Sequence, residues 1–506
     1  MRRWMFAWGA VLIGLASGSA TSTAAAETQV YRPMLRHETE YLSIEAPAAA
    51  RARLEAISTF PLDRDGTNLD SNFFFLPQVR IGTRIENRKE WPVRLQFEYE
   101  HDVVTGTGSG APRQEIGERL PNGEKIHDEL RRLQLRATIP SAHLQVSGGY
   151  MLSHWGLGMV ANDGAHGWTP GSAYFGDPRS GDRVIRFLAS TLPLTDYNLI
   201  FRVAYDYDVV DDEILVGNDE AYQVIGSMLV GAGQPHWGGL YVVYRSQDSD
   251  QRRGFDAVLY DLTASTRWSL DKLGIFTLAG EFAVVTGSTN LAQTPELAKH
   301  DLFQIGAAVR AALDRGNHGF VFDFLFASGD ENFDDDDQNS FRVDPNLEYG
   351  LMLFRQVMAA QTGRTTVTAA DPNLVGRPVP DLDRIPTGGA PANTVTLFPR
   401  AWWRPMEEGL EVYGGPLFAL SDVSYADPFN TRINGGNPHN PLGGKPGSFY
   451  GTELDLGLRY LGFVRDVELL VGLEAGVLIT GNAFTQLDGR TMGDVWGGRF
   501  MLEARL

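Results

Sequence analysis

"VRLQFEYEHD", Val93 to Asp102, puts an apolar or aromatic side chain at every second position and a charged or amide one at nearly every position between. A period of two is that of an extended strand with one oily face and one wetted face. What meets each face decides between a soluble β-protein and a channel.

The pattern recurs along the whole chain. "VRIGTRIE" (79–86), "LIFRVAYDYD" (199–208), "FVFDFLF" (320–326), "TELDLGLRY" (452–460) and "VELLVGLEAGVLI" (467–479) all alternate in the same way. Strands are predicted at about 49–60, 73–86, 91–104, 129–139, 142–152, 182–190, 196–210, 221–230, 237–247, 255–268, 274–286, 301–313, 319–328, 392–403, 409–421, 447–461, 466–480 and 494–506. That is about 18 strands, within a range of 16 to 20, an even number as single-chain bacterial barrels usually have. Short connections such as "NRKE", "PS", "SLDKL" and "LGFVR" alternate with long ones at 105–128, 153–181, 287–300, 329–391, 422–446 and 481–493. "EYGLMLFRQVMAA" (348–360) reads as a helix inside an outer loop, because counting it as a strand would put long connections on both sides of the membrane. "ARARLEAISTF" (50–60) is needed to return the chain from the periplasm, with Arg51, Arg53 and Glu55 inward.

Composition is consistent with one all-β unit. Among 506 residues, 43% are apolar and 21% charged, glycine is abundant (56) and no composition break divides the chain. The absence of cysteine excludes a disulfide frame, a thiolate nucleophile and any Cys-based zinc site. A net charge of −19 argues against a nucleic-acid partner, which requires clustered positive charge. Met1-Arg2-Arg3, the apolar run Trp4 to Ala16 and Ala24-Ala25-Ala26 have the parts of a secretory signal. The run is shorter than the roughly 20 residues a spanning helix needs. The expected organisation is a signal peptide over 1–26, a short periplasmic segment over 27–48 and a transmembrane β-barrel over 49–506, in the outer membrane of a Gram-negative bacterium.

Several features favour lipid over a second sheet as the solvent of the oily face. The predicted strands fit tilted membrane strands, which need roughly 9 to 11 residues. Tyr99, Tyr150, Tyr205, Tyr207, Trp268, Trp402, Trp403, Tyr460 and Trp496 lie towards strand ends, as interfacial girdles require. The last strand "RFMLEARL" turns Phe500, Leu502, Ala504 and Leu506 outward and Arg499, Glu503 and Arg505 inward. Charges must then face a lumen, because one midplane Arg or Lys in lipid costs about 2 to 4 kcal/mol. A cylinder of this size is too wide for its own side chains to fill, so a water-filled pore is expected.

Arg51, Arg53, Arg80, Arg84, Arg94, Arg132, Arg136, Arg499 and Arg505 give the expected pore an arginine-rich wall. Arg80, Arg84, Arg94, Arg132, Arg136, Arg499, Arg505, Glu98 and Glu503 are the candidate pore-lining residues. A positive ladder attracts anions and pairs carboxylates through guanidinium forks. The competing reading is internal bracing by Glu55, Glu86, Glu98, Glu100, Glu453, Glu474 and Glu503. "GDENFDDDDQNS" (329–340) reads as a solvated acidic loop without EF-hand spacing, with divalent bridging to lipopolysaccharide as the lesser use. "HWGLGMVANDGAHG" (154–167) opens no helix and so is no phosphate cradle; it is expected to fold back and narrow the pore. His154 with Asp163, and His166 with Asp177, are the pairs an enzyme at the rim would use, but G-x-S-x-G and similar nucleophile motifs are absent. No enzyme activity, cofactor or resident metal is expected.

With "FLFASGD" (324–330), the arginine-bearing lumen and the strand number, the chain resembles alginate-export-type outer-membrane barrels. "WGLGMVANDG" (155–164) and "GDPRSGDRV" (176–184) are similar to an outer-membrane family associated with polysaccharide secretion. The resemblance implies outward passage of a polysaccharide, anionic by the wall's charge, through a monomeric barrel. The rival readings are a general or sugar-selective diffusion porin and a structural or adhesive barrel. Expected partners are membrane lipid and lipopolysaccharide, the barrel-assembly machinery, the polysaccharide or small hydrophilic solutes, and a periplasmic export component.

Overall fold

The computed structural model describes residues 36–69, 73–87, 91–105, 126–176, 181–211, 219–249, 253–291, 298–331, 335–375, 381–406 and 409–506. The signal sequence expected over 1–26 lies outside these residues.

Eighteen antiparallel strands follow the alternation. They are β1 (Ala48–Ile57), β2 (Phe73–Asn87), β3 (Arg94–Thr105), β4 (Ile126–Ile139), β5 (Leu144–Leu152), β6 (Arg183–Thr191), β7 (Ile200–Val210), β8 (Glu220–Val230) and β9 (His236–Asp248). There follow β10 (Gly254–Leu270), β11 (Gly274–Thr289), β12 (His300–Asp314), β13 (His318–Ala327), β14 (Thr394–Trp403), β15 (Leu410–Leu420), β16 (Phe449–Val464), β17 (Val467–Thr480) and β18 (Val495–Arg505). Each pairs with its sequence neighbour, and β18 pairs with β1 from Gly497↔Ile57 to Arg505↔Ala49, which closes the sheet. Closure removes the open edges that would otherwise recruit another chain. The protein is a closed transmembrane β-barrel.

All the long connections leave one end of the cylinder, while turns such as Pro140–Ala142 close the other. Both the described start of the chain and Leu506 sit at the turn end, where Ala48 and Leu506 exchange backbone hydrogen bonds of 3.3 and 2.8 Å. Below that closure a short strand, Leu42–Glu45, continues β1 in the same register against Arg84–Asn87 of β2. Arg36–Glu38 folds back onto it and occupies the edge that β18 leaves uncovered.

Exposure alternates along the strands. Val79, Leu95, Leu135, Phe187, Val203, Leu262, Leu456 and Leu473 are exposed, whereas Gln78, Gln134, Asp206, Asp261 and Arg459 are buried. Trp268, Trp403 and Tyr460 stand outward near the turn end, and Tyr222 and Trp496 near the loop end, so two aromatic belts flank the apolar band. Trp402 does not join them: strict alternation turns it inward beside the outward Trp403, and it is buried under the Arg404 guanidinium, 4.4 Å from its ring centroid.

The bore near the loop end is filled rather than open. Residues 153–176, 341–370 and 385–393 bend into the cylinder, and Met159, Trp168, Phe175, Phe341, Leu353, Phe354 and Val357 form one buried cluster with the inner wall. The wall makes room with small inward residues, among them Ala283 of β11 and Ala308 of β12. The helix expected over 348–360 begins at Leu353 with a wide turn, in which the Val357 amide reaches the Met352 carbonyl, and runs on to Ala370. Its residues 351–358 are all buried, because this part of the outer connection between β13 and β14 is folded into the barrel.

Leu456, mid-way along β16 and 61% exposed, is the test of the lipid-facing side. Leu456→Arg is expected to lower folding stability by about 2 to 4 kcal/mol in denaturant titrations into phospholipid vesicles. An unchanged midpoint would place that face outside the hydrocarbon.

Candidate functional site

The interior is built from residues that the period of two turns inward and the barrel register sets side by side. Asp102 of β3 takes a two-pronged contact from Arg80 of β2 (2.6 and 2.7 Å), a hydrogen bond from Gln78 (2.8 Å), and lies 3.6 Å from Arg131 of β4. Arg131 also donates to Glu100 (2.9 Å). Two residues along, Glu98 is shared by Arg84 (2.8 Å), Arg132 (3.2 Å), Gln96 (2.7 Å) and Gln134. Arg136 donates to Gln96 (3.0 Å), whereas the buried Nε of Arg94 makes no hydrogen bond among the described residues. Across the closure, Arg505 contacts Glu503 (2.6 Å) and Glu468 (3.0 Å), and Arg499 contacts Glu474 and the carbonyl of Phe175. The positive wall expected from the sequence is therefore an alternation of guanidinium and carboxylate groups. An uncompensated buried charge is costly, and such pairing relieves the cost.

Other inward pairs escaped the sequence reading. Arg186 clamps Asp206 (2.7 and 2.6 Å), Arg245 contacts Asp211 (2.6 Å), Arg310 and Arg400 share Asp323, and Arg459 donates to Glu474 (2.8 Å). Arg131 was hidden for a specific reason: a register shift between Glu100 and His101 makes it an extra residue in β4, so it turns inward next to Arg132. The remaining partners are visible only once the register is known.

Wall carboxylates also hold the infolded loops by their backbones. Glu281 of β11 accepts the amides of Leu157 and Met159, and Trp155 Nε1 donates to Asp261 on neighbouring β10 (2.9 Å). Glu411 of β15 accepts Trp168 Nε1 (3.1 Å) and the Gly171 amide (2.7 Å). Glu453 of β16 accepts three successive amides, those of Leu351, Met352 (2.8 Å) and Leu353 (2.8 Å), at the start of the buried helix. Free N–H groups at a helix start are natural carboxylate ligands. Gly156 and Gly350 precede two of these anchors at φ +59° and +74°, and a Cβ there would collide with the carboxylates of Glu281 and Glu453. Only glycine lets the chain approach so closely. An aromatic-Gly-Leu step, Trp155-Gly156-Leu157 and Tyr349-Gly350-Leu351, is the local signature of both contacts.

In the loop at 153–176, His154, Asp163 and His166 come together. Asp163 Oδ1 is 3.0 Å from His166 Nδ1 and 3.7 Å from His154 Nδ1, and the two imidazoles stack with centroids 4.2 Å apart. Burial, then the neighbouring His166 charge, hold His154 down at about 4. Burial would raise Asp163, but His166 and His154 and the hydrogen bonds from His166 and the Ala165 amide outweigh it and keep the carboxyl far below its usual range. Burial opposes protonation of His166, yet the Asp163 charge prevails and raises it. The pair expected between His166 and Asp177 involves a residue outside those described.

No known family model matches the sequence, and no curated protein matches it. Solved structures do. OccK2 (OpdF) of Pseudomonas aeruginosa is 9% identical, with 92% of this chain and 97% of that chain covered at a TM-score of 0.51. OccAB1 of Acinetobacter baumannii is 10% identical, with 91% and 96% covered at 0.50. The likeness is one of fold. Both are named as Occ proteins, so the likeness shown is to the closed barrel of Occ proteins and not to an alginate-export protein.

Glu453→Ala would leave three buried amides without an acceptor, at about 1 to 3 kcal/mol each. Hydrogen exchange at Leu351 to Leu353 is expected to speed up by at least tenfold while the β16 and β17 amides stay protected. Unchanged exchange at these three positions would show that the carboxylate does not hold the loop.

Proposed function

We propose that this chain is an outer-membrane channel through which small hydrophilic solutes diffuse, its bore narrowed by two loops pinned to the wall. One observation carries the reading. Inside a closed cylinder, inward side chains near the turn end remain solvent-exposed: Arg84 by 47%, Arg132 by 25% and Arg80 by 24%. A lumen that wets these groups holds water, while the loop end of the same lumen is packed with aromatic and aliphatic side chains. Water and constriction in series suit a solute sieve.

Polysaccharide export has less support. A polymer needs a continuous wide bore, and the loops anchored on Glu281, Glu411 and Glu453 stand in it. A ladder reserved for anions is also weakened, because Arg80, Arg84, Arg132, Arg499 and Arg505 each face a carboxylate. Alternating charges of both signs act on dipolar and singly charged solutes instead, by orienting them along the wall. The fold shared with OccK2 and OccAB1 agrees with a porin of that type. On this reading the chain has no catalytic role and resides in the outer membrane of a Gram-negative bacterium.

The test is reconstitution of the purified protein into planar bilayers and solute-loaded liposomes. Small, discrete conductance steps and swelling with monosaccharides and amino acids, but not with oligosaccharides or charged polymers, are expected. Glu453→Ala should raise the step size by loosening the constriction. Passage of alginate-length polymers, or the absence of any conductance, would contradict the proposal.

A further inference from the structure

The side chains of His154, Asp163 and His166, at the base of the first infolded loop, have no part in the wall pairing or the loop anchoring. His154 is the second residue after β5, and the chain turns tightly behind it: the Gly158 amide donates to the Trp155 carbonyl (2.9 Å) and the Trp155 amide to the Ala161 carbonyl (3.1 Å). That turn returns Asp163 and His166 to His154. One ligand atom from each of the three lies within 4.8 Å of the others.

The His154 side chain is only 3% exposed; its ring lies beside the Asn162 side chain and the Gly156 backbone, yet among the described residues neither ring nitrogen has a partner with hydrogen-bond distance and angle. Buried polar atoms are almost always satisfied, and an orphaned imidazole is costly. Two imidazoles and a carboxylate facing one another are the donor set of a borderline-soft divalent cation. In a tetrahedral site with metal–ligand bonds of about 2.0 to 2.1 Å, ligand atoms stand about 3.3 Å apart. The 3.0 and 3.7 Å separations from Asp163 Oδ1 bracket that value. Contacts from beyond the trio position it: the Asp163 carbonyl accepts Arg131 Nη2 (3.1 Å) and the Ala165 amide donates to Asp163 Oδ1 (3.0 Å). His166, 29% exposed, leaves one side open for an ion to approach and for water to complete the coordination.

We propose that His154, Asp163 and His166 bind one divalent transition-metal ion, Zn²⁺ in character, which clamps the base of the infolded loop. The ion takes up a ring nitrogen of His154 that none of the described residues satisfies, and ties the strand end at His154 to the segment leading to Trp168 and Gly171 on Glu411. The inference does not depend on which solutes the channel passes, so failure of either proposal leaves the other standing.

The experiment uses the full-length protein folded in detergent, stripped with chelator and dialysed against Zn²⁺ alone, with bound metal counted by elemental analysis. One Zn²⁺ per chain is expected, with at least a tenfold loss of affinity in His154→Gln and in His166→Ala. Unchanged binding in His101→Ala, a histidine outside the trio, serves as the control. Co²⁺ in place of Zn²⁺ should give the visible absorption of a low-coordinate nitrogen and oxygen site, and His166→Ala should abolish it. His166→Ala alters the most exposed member of the trio, so it keeps the test valid if His154→Gln fails to fold. Absence of bound Zn²⁺ in the unaltered protein, or binding of equal strength in folded His166→Ala, would overturn the proposal.

Discussion

A loop that enters a barrel takes its backbone amides away from water, and each must find an acceptor or forfeit its hydrogen bond. Here the acceptors are carboxylates of the barrel wall itself. Glu281, Glu411 and Glu453 stand on three different strands, and each holds loop backbone N–H groups directly. The strand register is therefore also the loop register. A slip of one residue in β16 would turn Glu453 and Asp455 towards lipid and Leu454 and Leu456 into the bore, losing the anchor and exposing charge to hydrocarbon together.

The wall is divided by chemistry. From β1 to β4 it carries long guanidinium groups knitted to carboxylates across neighbouring strands. On β11 and β12 it carries small side chains such as Ala283 and Ala308, against which the infolded segments pack. Charged groups also tie the infolded segments to the wall at the closure: Arg355 on the buried helix bridges Glu348 (2.7 Å) and Glu55 of β1 (2.9 Å), and Arg499 of β18 reaches the Phe175 carbonyl. The constriction is thus tied to both sides of the cylinder. A channel of this construction is narrow because of its buried hydrogen bonds, with no need for a narrow barrel.

The strands were legible because membrane barrels give each strand the same instruction, oily outward and polar inward, over a long run. Even β1, weak by itself in "ARARLEAISTF", was required by the parity of the topology and is present from Ala48 to Ile57. The loops gave a partial message. "HWGLGMVANDGAHG" was expected to fold back, and it does, but its partner Glu281 lies more than a hundred residues away and no local pattern points to it. Likewise the Leu351 amide meets Glu453 at a separation of 102 residues. The inward run of small residues in "QIGAAVRAALD" (304–314) was the available sign that something other than the wall's own side chains fills the bore there. Trp402 and Arg131 were misread or missed for local reasons, the first by counting aromatics without applying the alternation, the second by an extra residue in a strand.

The absence of native cysteine allows a direct test of the pinned loop. Gly476 faces inward from β17, and a Cβ built on it would lie 3.4 Å from the Leu351 Cβ, close to the spacing of a disulfide. In the double variant Leu351→Cys with Gly476→Cys, mild oxidation of the folded protein should form an internal disulfide in nearly every molecule, and neither single variant should shift on a denaturing gel. Two cysteines that remain fully reactive to a maleimide after oxidation would place the loop outside the barrel and contradict the account.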